Sequence, residues 1–273
     1  ILLMQFVLVG VFTALDGLLF YVFWEVTLIP IWFIAGLWGE EDKRIKVTTK
    51  FFVYTFVGSL FMFIGLIYVY NHAASFELTD LYNASLNSTQ QLVVFWLIFL
   101  AFAVKLPIFP FHNWQPDTYT FSPTQGTMLL SGIMLKMGLY SVIRWQLPIA
   151  PLAAKFHVTI MLVLGIAGTI YGSFLALKQN NLKKLLAYSS LAHVGLIAAG
   201  AYTLTLDGLS GAVSQMIAHG FVIVGLFFAA EIISRRFDTN NVDEMGGIRS
   251  QAPQFTSLFM ILVLASVALP GTF

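Results

Sequence analysis

The chain has 273 residues, of which 58% are hydrophobic, 15% aromatic and 10% charged, with a net charge of +1. A soluble domain carries roughly 45–50% apolar and about 25% charged residues, so a water-soluble fold cannot hide this much apolar surface and lipid must cover part of it. The absence of cysteine excludes disulfides, cysteine-held iron–sulfur clusters and thiolate catalysis within the chain, and the small net charge gives no sign of a nucleic-acid partner.

A span needs about 20 mostly apolar residues to cross the hydrocarbon core. Nine stretches qualify in whole or in part: 1–12, 15–38, 47–70, 91–111, 122–146, 156–177, 183–205, 208–233 and 254–273. Open strands cannot satisfy their backbone in lipid and nothing alternates with period two, so all nine are predicted helices. The fold class is therefore all-α, a polytopic transmembrane helix bundle. The first run has no charged segment before Ile1 and the last is still apolar at Phe273. The chain thus reads as a single transmembrane domain over 1–273, part of a longer chain with its first and last spans cut.

Taken in order, the first span leads to Asp16, a helix-start residue for the second. Trp32, Trp38 and Trp145 fall towards span ends, as interfacial anchors do. Ten of the fourteen basic residues fall on alternate loops: Lys43, Arg44, Lys46 and Lys50; Lys178, Lys183 and Lys184; Arg235, Arg236 and Arg249. The opposite side has Arg144 and Lys155, and loop 71–90 has no basic residue. The positive-inside rule then places the first set in the cytoplasm or its equivalent.

The remaining two basic residues, Lys105 and Lys136, lie deep in the fourth and fifth spans. An ionisable group inside a span costs at least about 2.5 kcal/mol on insertion scales and so normally faces protein or water with a task to perform. Glu25 in the second span, His193 in the seventh and His219 in the eighth join them. At 1.5 Å per residue all five sit about 15–20 Å from the face at which their helix enters, near the midplane. A packing role through buried hydrogen bonds or one ion pair is the alternative, and it is hard to sustain for five groups at one depth. A hydrated lateral path in which lysine and histidine carry protons fits better. Burial makes a lysine release its proton more readily and a carboxylate makes it hold on, so moving one carboxylate switches the lysine. Pro107 and Pro110 follow Lys105 and predict a broken helix there. Asp117 reads as a brace for the fifth span, Glu231 as a surface helix partner of Arg235, and His72 and His157 as solvated interfacial groups.

Residues 101–145 read AFAVKLPIFPFHNWQPDTYTFSPTQGTMLLSGIMLKMGLYSVIRW. This resembles the signature of the antiporter-like subunits of complex I, a family that also includes multisubunit cation/proton antiporters and membrane-bound hydrogenases. The matching parts are Lys105 before its proline, the run His112 to Asp117, Ser122-Pro123-Thr124 and Lys136. The runs Ala187 to His193 and Ile217 to Gly220 match as well. Within the family, Phe23-Trp24-Glu25, Met245-Gly246-Gly247 and Leu269-Pro270-Gly271-Thr272 look most like the chain M type, whose mitochondrial counterpart is NADH dehydrogenase subunit 4.

The resemblance implies a proton-translocating membrane subunit of NADH-quinone oxidoreductase in a bacterial inner membrane or an equivalent energy-transducing membrane. The expected relay is Glu25 paired with and tuning Lys105, then Lys136 reached through water and His193 or His219. The exit acid would lie beyond Phe273. The chain is expected to hold no cofactor, with flavin, iron–sulfur clusters and quinone in partner subunits. Its partners would be other membrane subunits, neighbouring antiporter-like ones among them, and the bilayer. The family's inverted repeat would set the fourth span against the ninth, Pro107 against Pro270. One departure is Tyr119, where the family often has a second histidine. The rival readings are a cation/proton antiporter or hydrogenase subunit, and a structural or quinone-binding scaffold with an open pocket facing lipid.

Overall fold

A computed structural model describes residues 1–40 and 43–267. Seven helices are long and apolar enough to cross a membrane: Gly17–Trp38, Arg44–Ala73, Ser88–Lys105, Thr124–Ile149, Pro151–Leu177, Leu182–Tyr202 and Leu206–Phe237. The shorter apolar helices Leu2–Thr13 and Pro253–Ser266 stand before and after them. They correspond one for one to the nine expected spans and form a multi-pass membrane bundle. Outward faces carry Phe156, Leu177 and Phe221, each more than 70% exposed, as lipid-facing side chains should be. Inward faces are packed with Phe95, Phe99, Phe102, Phe20 and Trp24, all about 1% exposed or less.

Helix starts use the side chains that chemistry favours. Asp16 accepts from Leu19 N at 2.8 Å, Asn181 from Lys184 N at 3.0 Å and Thr205 from Gly208 N at 3.1 Å. Asn87 and Gln90 form a reciprocal capping box. Each such cap stabilises its helix by about 0.5–2 kcal/mol.

The inverted repeat is visible in the backbone. Asp16, the N-cap of the second span, forms an isolated antiparallel bridge with Glu77, just past the end of the third. Asn181, the N-cap of the seventh span, forms the same bridge with Asn241, just past the end of the eighth. The paired bonds match: Gly17 N to Phe76 O and Leu78 N to Leu15 O at 2.8 Å, against Leu182 N to Asn240 O at 2.9 Å and Val242 N to Asn180 O at 2.8 Å. The third and eighth spans each end on a left-handed residue, Ala74 (φ 55°) and Asp238 (φ 53°). The two units are five spans apart, so they run in opposite directions. The expected counterpart of Pro107, Pro270, lies with Leu269 to Thr272 outside the described residues.

Three sequence expectations need correction. Trp145 is no interfacial anchor: it is 1% exposed and stacks on Phe20 at 4.4 Å between ring centroids. His157 is not solvated but buried, with Nδ1 2.9 Å from Ala153 O and Nε2 accepting from Trp96 Nε1 at 3.3 Å; His72 is exposed, as expected. Asp117 braces the third span rather than the fifth, through an ion pair to Lys50 at 3.3 Å.

A pair of lysine clusters as the candidate functional site

The fourth span stops at Lys105, and helix resumes only at Gln115. Pro107 and Pro110 lack the amide that would continue it. The backbone between them turns: Leu106 N bonds Phe102 O at 2.7 Å and Ile108 N reaches back to Ala103 O at 2.9 Å. Trp114 Nε1 donates to the freed carbonyl of Val104 at 2.8 Å. The short helix Gln115–Phe121 is pinned by Gln115 Nε2 to Ala187 O at 3.1 Å, and its approach by Lys50 Nζ to Asn113 O at 2.7 Å. The break therefore puts Lys105 in the last turn of a helix, where the aligned carbonyls favour a cation.

Lys105 is 3% exposed. Its Nζ donates to Thr27 Oγ1 at 3.3 Å and lies 5.4 Å from the centre of the Trp24 ring. Thr27 in turn donates to Trp24 O at 2.7 Å. Thr27 is the point at which the second span divides into Gly17–Val26 and Leu28–Trp38, three residues before Pro30. The expected partner, Glu25, stands two residues before Thr27 but makes no direct ion pair with Lys105 among the described residues. One of its carboxylate oxygens, Oε1, is buried and without a hydrogen-bond partner among the described residues. Direct pairing is thus corrected: Thr27 takes the ammonium, because the turn there points its hydroxyl at Lys105. Nothing in the residue pattern singled out Thr27; a lone threonine just before a mid-span proline was the available signal.

The second cluster is built on the fifth span. Lys136 is 6% exposed, and its Nζ lies 2.6 Å from Ser131 O and 2.8 Å from His219 Nδ1 of the eighth span. Two wider π-helical turns, Leu130–Met134 and Val142–Gln146, flank it; such turns recur at functional sites. The first lets the ammonium fold back on a carbonyl five residues earlier. An ammonium has only donors, so a charged Lys136 makes His219 Nδ1 the acceptor and leaves the ring proton on Nε2. Nε2 is buried with no hydrogen-bond partner among the described residues. The His193 ring lies 5.6 Å from that of His219, and both line a small cavity with Ser189, Gln215 and Ser266. Four of the five expected residues therefore form two groups, Lys105 by Glu25 and Lys136 with His219, and His193 completes the second. Buried Tyr119 OH and His112 Nδ1 also lack hydrogen-bond partners among the described residues.

The two clusters sit on touching helices. Gly138, two residues after Lys136, packs on Leu106, the residue after Lys105: a Cβ built at Gly138 would meet Leu106 Cβ at 3.1 Å. Gly132 is tighter, 2.5 Å from Val224 of the eighth span by the same measure. These glycines permit close helix approach. An apolar groove of about 410 Å³ opens laterally beside Lys136, lined also by Phe12, Met216 and Phe221. Lys136 is its one charged lining group among the described residues.

Comparison with known proteins agrees with the fold. The family model described as NADH:quinone oxidoreductase/Mrp antiporter, TM, matches residues 14–273. NADH-quinone oxidoreductase subunit M of Rickettsia conorii is 41% identical over 273 residues, covering 99% of this chain and 55% of the relative. NADH-ubiquinone oxidoreductase chain 4 of Metridium senile is 39% identical over 270 residues, with the same coverage of each. Among solved structures, respiratory complex I from Thermus thermophilus with bound NADH superposes with a TM-score of 0.93 at 33% identity, over 98% of this chain and 58% of that one. The Mrp complex from Dietzia shares the fold, with a TM-score of 0.90 at 21% identity over 98% of this chain and 51% of that one. The chain spans about half the length of the curated relatives it matches. By its family match and its two buried lysine clusters, this chain belongs to the NADH:quinone oxidoreductase/Mrp antiporter transmembrane family.

Proposed function

We propose that the chain is a proton-translocating membrane subunit of an NADH-quinone oxidoreductase of the complex I type, working as part of a multisubunit membrane complex. The observation that carries the reading is the buried contact of Lys136 Nζ with His219 Nδ1 at 2.8 Å. One proton shared between an amine and an imidazole has two stable positions. It rests on the lysine with Nδ1 accepting, or on Nδ1 with the amine accepting, and passing from one to the other moves charge between the fifth and eighth spans. Lys105 on Thr27, with Glu25 two residues before that threonine, is the neighbouring station. Glu25 tunes Lys105 through space, and His193 extends the second cluster towards the cleft between the sixth, seventh and ninth helices.

Moving one proton against a membrane potential costs about 2.3 kcal/mol per 100 mV. In this reading the drive comes from redox chemistry in partner subunits, which would hold flavin, iron–sulfur clusters and quinone, and the neighbouring membrane subunits transmit it. The test is proton flux in reconstituted, NADH-driven complex with and without the Lys136 side chain. Uptake unaffected by Lys136→Ala refutes the relay. Sodium-for-proton exchange without NADH would assign the chain to a cation antiporter instead.

A further inference from the structure

Glu231 lies near the end of the eighth span, where its spacing from Arg235 suggests a surface pair, and that pair exists at 2.6 Å. Two other contacts are less ordinary. Thr124, the first residue of the fifth span, donates to Glu231 Oε2, and Lys183, the second residue of the seventh, lies 3.5 Å from the same oxygen. The Arg235 side chain is 73% exposed, whereas those of Lys183 and Glu231 are only 11% and 19% exposed. An exposed pair contributes about 0–1 kcal/mol, so the restraint comes from Lys183 and Thr124. Lys183 also carries its charge at a helix N-terminus, where the peptide dipoles oppose a cation, and Glu231 supplies the compensating charge.

The three helices tied by this one carboxylate are the three that carry Lys136, His193 and His219. Thr124 is twelve residues before Lys136, Lys183 ten before His193, and Glu231 twelve after His219, or about 15–18 Å along each helix. Between the two levels the fifth and eighth spans touch at Gly132 and Val224. That close contact lies between the two levels, with the Glu231 tie on one side and the Lys136–His219 contact on the other.

We infer that Glu231 is a positioning residue for proton transfer: by holding the cytoplasmic ends of the fifth, seventh and eighth spans together, it sets the Lys136–His219 contact across the Gly132–Val224 contact. This rests on the relay reading above. Misplacing reacting groups by 1 Å costs up to about a hundred-fold in rate, so a tie three turns away is enough to matter.

The test uses assembled complex carrying Glu231→Gln or Thr124→Val, with Lys136→Ala alongside. Glu231→Gln removes the charge at nearly constant size, and Thr124→Val removes one neutral contact. Proton flux should fall about ten-fold in Glu231→Gln and less in Thr124→Val, with the Lys136–His219 separation in the variant structures opened beyond hydrogen-bonding distance. Unchanged flux in both variants, with Lys136→Ala inactive, overturns the positioning role and leaves the relay standing. Unchanged flux in all three overturns both. Lowered flux with the Lys136–His219 contact intact overturns positioning, and so does failure of both tie variants to assemble, which would assign the cluster to folding alone.

Discussion

Lys136 of the fifth span and His219 of the eighth share a hydrogen bond of 2.8 Å at positions 5–6% exposed. Each is the other's only buried side-chain hydrogen-bond partner among the described residues, so in the proposed relay each depends on the other for direct proton exchange.

That dependence separates charge from exchange. Lys136→Arg keeps a cation but holds its proton permanently, so it cannot relay. Both Lys136→Ala and Lys136→Arg should lower proton flux by about a hundred-fold, the scale of a lost acid–base group. Flux is to be measured in reconstituted complex, and an active arginine variant would show that only the charge matters.

At the other lysine, Thr27 is the direct partner. Thr27→Val removes the acceptor of a charge-assisted bond from a buried ammonium, worth about 1.5–3 kcal/mol, while Thr27→Ser restores the oxygen. Turnover should therefore fall in Thr27→Val and recover in Thr27→Ser. Glu25→Gln should lower coupled turnover without preventing assembly, through the loss of a charge that acts at a distance. If Glu25→Gln pumps normally, Glu25 has no tuning role.

The helix break has its own support. Trp114→Phe leaves the carbonyl of Val104 buried without its indole donor, a loss of about 1–3 kcal/mol. Thermal unfolding of the purified protein in detergent should shift downward accordingly. No shift would mean that the carbonyl finds another partner.

Sidedness can be read on a cysteine-free background. A cysteine at Ser85 should react with an impermeant reagent from the face opposite the basic loops, while one at Ser250 should be protected there. The reverse pattern would invert the topology.

Much of the fold was legible in the chain because lipid leaves so few options. Runs of about 20 apolar residues must be helices, and the prolines after Lys105 must interrupt one. The five midplane groups were legible for the same reason, since charge in hydrocarbon is costly wherever it sits. Contacts between helices were not. That Lys105 meets Thr27 instead of Glu25 depends on a turn one residue wide at Thr27. That Lys136 meets His219 depends on a π-turn that shifts its register. Glu231 looked like half of a surface pair because its other partners, Thr124 and Lys183, are 107 and 48 positions away.

The twin bridges at Asp16–Glu77 and Asn181–Asn241 bear on direction. A scaffold made of two like halves facing opposite ways has no preference of its own for inward or outward movement. Counting from the two N-caps, Glu25 stands nine positions after Asp16 and Ser190 nine after Asn181. One half thus places a carboxylate where its twin places a buried hydroxyl. A directional preference in the proposed transport would then reside in such mismatched pairs of side chains, so exchanging them is the way to blunt or reverse it without disturbing the frame.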